Sequence, residues 1–348
     1  MRIALIAPPW LPIPAPGYGG TETVIDHLAR GLQDAGHSVL LVSHPQSRCP
    51  VDRVSVVPAE DTVQMGRGSI ELEHVVGAYR LVDGCDVVHD HTLAGALFAA
   101  SRPWLPVVAT NHNRFDRTRV AVYSAVGPNV GLVAISRSHA ASTSLAMAAV
   151  VHHGIHVDDF PVGTGSGGYA AVLSRLSPDK GIDRAIGIAR AAGVPLRIAA
   201  KQREPHERAY FDECIRPLLG DGVEYLGELT AAEKKILLAD AVALLNPIRW
   251  AEPFGMAMVE SLACGTPVVS SSSGAAPEIV EHGVSGLLGD SDDDLIAALG
   301  EVHRIDRGAC RRRVEEHFSV EQMVRGYVDA YSRQRDLVAS GGHGSAVS

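Results

Sequence analysis

Residues 241–270 read AVALLNPIRW AEPFGMAMVE SLACGTPVVS. Residues 241–246 form an apolar run of strand length, 247–251 a loop, and a helical pattern begins near Met256. That helix should stop at Cys264-Gly265, with Pro267 beyond, before a second apolar run over 267–270. Pro253 disfavours helix at Glu252, and Gly255 opens dihedrals closed to other residues. Strand, helix and strand in that order imply parallel β-structure with a right-handed crossover.

The same alternation extends outward. Residues 2–7, 38–43, 86–89, 107–110 and 132–135 read as strands, with helices over 22–35, 70–82 and 139–149; Gly36 stops the first helix. Near 150–170 the pattern breaks into HHGIHVDDFPVGTGSGGY (152–169), whose glycine, proline and serine density reads as a linker. Alternation then restarts: strands at 170–174, 196–200 and 223–226, helices at 181–192, around 207–219 and at 231–239. The expected class is α/β, two doubly wound Rossmann-like domains. Residues 1–155 make the first and 156–318 the second. A C-terminal helix over 319–337 should pack back towards the first domain, and 338–348 should be a disordered tail.

The 348 residues are 46% hydrophobic and 20% charged, enough for two cores without staples. A net charge of −9 argues against a nucleic-acid binder, which needs a basic surface. Cys49, Cys85, Cys214, Cys264 and Cys310 are widely spaced and contain no CxxC, so they read as thiols in a reducing, cytoplasmic setting. The opening MRIALIAPPW is too short for a membrane span and has no small-residue cleavage site; it reads as a buried strand. No strongly basic amphipathic helix is visible, and peripheral membrane contact is left open.

Ligands of open parallel sheets sit outside the carboxyl ends of the strands. There Glu252 precedes a helix and Glu260 lies one turn into it. The amides of Gly255, Met256 and Ala257 would point outward as an anion site. Two carboxylates beside that site suit hydroxyls, and hydroxyls next to phosphate mean a sugar nucleotide. A second loop, SRLSPDKG (174–181), follows a strand and carries Arg175 for bidentate phosphate contacts and Lys180 as a point charge.

Arg175, Lys180 and Gly181, with EPFGMAMVE, ACGTPVV, Gly274 and PEIVEHGVSGLL, resemble the large retaining glycosyltransferase family 4 of GT-B fold, two such domains facing across a cleft. The two glutamates match that family's E-x7-E motif. The resemblance covers about residues 1–335; the opening APPW…GYGGTE also resembles a subgroup with antibiotic-sugar and pterin glucosyltransferases. It implies that Arg175 and Lys180 hold the donor diphosphate and that Phe254, Gly255 and Met256 line the donor site. Glu252 would contact the sugar near the reacting carbon, and Glu260 the ribose. Base contacts are expected near Lys201 and residues 227–229.

In the N-terminal half, the glycine-rich loop with Gly19 and Gly20 is not GxGxxG, and strand 38–43 leads into His44 without an acidic ribose ligand. A nicotinamide dehydrogenase is therefore disfavoured. His89 and His91 could be half a metal site but lack a third ligand, and read as site-lining; no metal or cofactor is expected. Asn111 and His112 follow the next strand, and His112 matches the family's histidine that contacts donor sugar or acceptor. Arg114, Arg117 and Arg119 form a basic cluster, read as solvated surface or as a contact for an anionic acceptor. His152 and His153 read as hinge residues.

The function implied is metal-independent transfer of a hexose, with UDP-glucose as the default donor, to a small-molecule or glycan hydroxyl by front-face attack with retention. Alternatives are a nucleotide-sugar epimerase on the same fold and a non-catalytic sugar-nucleotide-binding protein.

Overall fold

The computed structural model describes residues 1–17 and 19–341. Its contacts divide the chain into two units, with the change at Gly154/Ile155 and a return to the first unit at Val320.

The first unit holds β1 (Arg2–Ile6), β2 (Ser38–Val42), β3 (Asp52–Val54), β4 (Val87–Asp90), β5 (Val107–Thr110), β6 (Val130–Ala134) and β7 (Ala149–Val150). They form one sheet in the order β3-β2-β1-β4-β5-β6-β7, with parallel pairings throughout. The central strands β4, β5 and β6 are buried along their whole length, as expected for a sheet covered on both faces. On one face Val75, Ala78 and Tyr79 of the helix Gly68–Leu81 pack with Ile6, Val88 and Ala109.

The second unit holds β8 (Ala170–Arg175), β9 (Leu196–Lys201), β10 (Val223–Gly227), β11 (Ala243–Asn246), β12 (Val268–Ser271) and β13 (Gly286–Gly289). Their order is β10-β9-β8-β11-β12-β13, again parallel. Its core joins Val172, Ile198, Leu245 and Val269 of the sheet to Ile182 and Ile186 of the helix Ile182–Ala191.

In each sheet the chain reverses its direction of travel once, between β1 and β4 and between β8 and β11. There the loops leave on opposite faces and open a crevice at the carboxyl edge.

Several sequence expectations shift. The helix expected over 139–149 shrinks to Arg137–Ala141, because Leu132 and Ala134 carbonyls capture Ala148 and Val151 for the sheet edge. The stretch 207–219 is a short helix Pro205–Tyr210 that loosens into π and 3-10 turns, with Pro217 breaking the regular ladder. The C-terminal helix runs over Val320–Gly341, so 338–341 are helical rather than disordered; the rest of the expected tail, 342–348, lies outside the described residues.

That helix belongs to the first unit and packs against the helix Gly20–Asp34. A side chain at Gly31 would begin 2.6 Å from Val320 Cγ2 and 2.8 Å from Val324 Cγ2. Gly31→Leu should therefore overpack this contact and cost about 1–3 kcal/mol. Thermal unfolding reads it as a lowered Tm; an unchanged Tm would mean the two helices do not pack this closely.

Candidate functional site

In the second unit, the candidate residues lie on the loops after β8 and β11, the two strands flanking the order reversal. After β8 the chain makes a 3-10 turn, Pro178–Lys180, then Gly181 at φ +66° before the next helix. A Cβ at Gly181 would sit 2.3 Å from the Pro247 carbonyl oxygen, so only glycine lets the two loops meet. After β11 the chain reaches Gly255, whose φ of +124° starts the helix Met256–Ala263 without a side-chain cap. The first-turn amides of such a helix have no intrahelical acceptor and favour an anion.

Lys180 Nζ donates to Glu252 Oε1 in a short ion pair; the side chains are only 10% and 17% exposed. The ammonium also lies 5.3 Å from the Trp250 ring centroid. Glu260 is buried on the helix, 3.9 Å from Lys234 Nζ. Arg175 is the more open cation; it donates to Asp179 at 3.0 Å and Ser177 at 3.2 Å. Phe254 differs from expectation: its side chain is buried edge-to-face against Phe318, so it packs the base of the loop. Lys201 is paired with Glu207 at 3.3 Å and Glu204 at 3.7 Å.

A brace the sequence reading missed locks these loops together. Arg249 grips Asp183 bidentately at 2.6 and 2.8 Å, its amide donates to the Asp179 carbonyl at 2.8 Å, and Tyr210 donates to Asp183 at 2.7 Å. Burial alone would push Asp183 up, but the bonds from Arg249 and Tyr210 outweigh it and hold the carboxyl below its usual range. Arg184 adds bonds to the Pro247 carbonyl and Ser271.

In the first unit, the loops after β1, β4 and β5 carry the candidates. Gly19 is required by space, since a Cβ would fall 2.5 Å from that of Ala15 and 3.0 Å from Glu22 Oε2; Gly20 faces no such limit. His91 and His112 are brought together, Nδ1 to Nε2 at 2.8 Å. Asn111 spends its amide on Asn113, at 2.6 and 3.1 Å, and shapes its own loop. His89 corrects the expectation of a site-lining residue: it is fully buried, with one ring nitrogen on Tyr331 and the other on Thr110, both at 2.8 Å. His153 is also buried, stacked 5.1 Å from His112, which fits a packed position better than a hinge. In the basic cluster, Arg119 pairs with Asp116, while Arg114 and Arg117 are exposed. Among the described residues, no group of three His, Cys, Asp or Glu is placed to hold a metal ion, and no helix is long and apolar enough to cross a membrane.

Burial holds His112 down to about 3 and His139 to about 4, and holds His89, His91 and His153 below their usual range. Unfolded, these imidazoles titrate near 6.5, so below that pH the unfolded chain binds more protons. Their contribution is complete above about pH 6.5 and is lost as pH falls towards the folded values. Asp90 and Glu22 work the other way, since burial raises both carboxyls, Asp90 to about 6; they oppose these five imidazoles and His74, which burial also holds down to about 4. The Tm should fall as pH drops from 7.5 to 5, about 2–4 °C for each kcal/mol lost. A flat or rising profile would contradict the buried, neutral cluster.

Comparison with known proteins shows the family and the fold. Residues 18–157 match the family model for "Glycosyltransferase Family 4", and residues 165–312 that for "Glycosyl transferases group 1". The chain is 27% identical to an MMP alpha-(1->4)-mannosyltransferase of Mycolicibacterium hassiacum, over 92% of this chain and 96% of the relative. It is 27% identical to a phosphatidyl-myo-inositol mannosyltransferase of Propionibacterium freudenreichii, over 83% and 81%. The crystal structure of AviGT4, a glycosyltransferase involved in avilamycin A biosynthesis, superposes with a TM-score of 0.73 at 26% identity, over 96% and 98%. With one family model on each of its two parallel-sheet units, this chain belongs to the GT4-type glycosyltransferases and has the GT-B fold.

Proposed function

We propose that this glycosyltransferase moves a hexose from a nucleoside-diphosphate sugar to an acceptor hydroxyl with retention of anomeric configuration and without a metal. The observation that carries the reading is the convergence after β8 and β11 of the Lys180 ammonium, the Glu252 carboxylate and the uncapped amide end of the helix Met256–Ala263. A diphosphate needs cations and amides, and a sugar beside it needs a carboxylate that accepts from hydroxyls.

In the reaction, the bond from the anomeric carbon to the diphosphate oxygen breaks. The acceptor oxygen bonds to that carbon from the same face, and its proton passes to the departing phosphate. Arg175, Lys180 and the amides of Gly255 and Met256 stabilise the charge that develops on the leaving group. The incoming diphosphate competes with Glu252 for Lys180, which frees the carboxylate to accept from sugar hydroxyls. Glu260 holds the ribose hydroxyls. On the first unit His112 meets the donor sugar or acceptor, and Gly19 and Gly20 give the acceptor room.

UDP-glucose is the first donor to try. A panel of UDP-, GDP-, ADP- and dTDP-sugars covers the other donors, with mannose included because two of the relatives are named as mannosyltransferases. The acceptor class is a small-molecule or glycan hydroxyl. Nucleoside-diphosphate release should occur from one donor with an acceptor extract, well above release with water alone. Lys180→Ala and Glu252→Ala should each reduce it about 100–1,000-fold. Product NMR should show the donor's anomeric configuration. An isomerised donor without acceptor would point to an epimerase, and nucleotide binding without turnover to a binding protein.

A further inference from the structure

The carboxyl edge of the first unit carries a column of imidazoles. Ring centroids are 4.0 Å apart from His89 to His91, 5.1 Å from His91 to His112 and 5.1 Å from His112 to His153. One contact in the column is a hydrogen bond between rings, His91 Nδ1 to His112 Nε2 at 2.8 Å. His89 stays outside it, since Tyr331 and Thr110 take both its nitrogens. Thr110 lies 3.2 Å from the Tyr327 hydroxyl, so the C-terminal helix holds His89 as a fixed platform under His91.

A neutral imidazole has one N–H and one bare nitrogen. The bond between His91 and His112 therefore holds a single proton, whose location fixes both rings. With the proton on His112 Nε2, His91 Nδ1 is bare and both rings are Nε2–H tautomers. With it on His91 Nδ1, both are Nδ1–H. Opposite tautomers put two protons or none between the nitrogens and break the bond. The outer atoms, His91 Nε2 and His112 Nδ1, are buried and have no hydrogen-bond partner. In either paired state one of them is a donor and the other an acceptor. Buried polar atoms left open in this way are costly and call for an explanation.

We propose that His91 is a positioning residue for His112. Sharing one proton ties the His112 tautomer to that of His91, and the pair holds one of its two states, so that Nδ1 has one fixed role, donor or acceptor, towards a sugar or acceptor hydroxyl. The consequence for catalysis rests on the glycosyltransfer reading above; the tautomer lock does not.

The test joins a spectroscopic and a kinetic measurement. In the intact protein labelled with 15N-histidine, long-range 1H–15N correlations near pH 7.5 should show His91 and His112 each in one tautomer, and the same one. Opposite tautomers, or a mixture at either ring, overturn the proposal. His91→Phe should release His112 into a mixture. It should also lower kcat about 10–100-fold, the range found for outer-shell partners of ligand histidines, with little change in donor KM. His91→Asn gives a second, smaller variant should the first fail to fold. An unchanged kcat in a folded variant overturns the positioning role. If no donor turns over with wild-type protein, the functional reading fails by itself, and the tautomers still decide the pairing.

Discussion

The site depends on one topological constraint, the order reversal in each parallel sheet. Because every strand pair is parallel, every βα loop of a unit leaves at the same edge. Because the order reverses between β8 and β11, the two loops beside that point separate to opposite faces. Lys180 sits on one and Glu252 on the other, and Gly181 lets them touch. The first unit repeats the arrangement, with Gly19 after β1 and His91 after β4.

Charge at this point is paired and largely buried. The ion pair of Lys180 and Glu252 is largely shielded from water, and such a pair gains little net stability, because desolvation offsets attraction. Removing one partner strands the other. A ligand that brings its own anion and hydroxyls can replace both halves at once. The brace of Arg249, Asp183 and Tyr210 ties the two loops together through bonds that do not involve that ion pair.

The sequence was most legible where a residue type has a single use. Gly255 beside Pro253 marks a helix start that neither neighbour could otherwise make, and Glu260 follows at a spacing that returns it to the same end. Pairings distant in sequence left no local trace. Arg249 and Asp183 are 66 positions apart, and His89 and Tyr331 are 242 apart, so the brace and the C-terminal platform emerge only on folding. His89 looked like a site residue because strand periodicity gives direction but not depth. Short edge strands such as β3 and β13 also escaped, since GLLG bounded by glycines has no periodicity to read.

The function proposed above requires the donor to bind at the reversal between β8 and β11. A crystal structure with the turned-over donor's nucleoside diphosphate tests it most directly. Phosphate oxygens should lie within hydrogen-bond distance of Lys180 and the amides of Gly255 or Met256, with the ribose on Glu260 and the ion pair of Lys180 and Glu252 opened. A nucleotide bound elsewhere, with that ion pair intact, would contradict it.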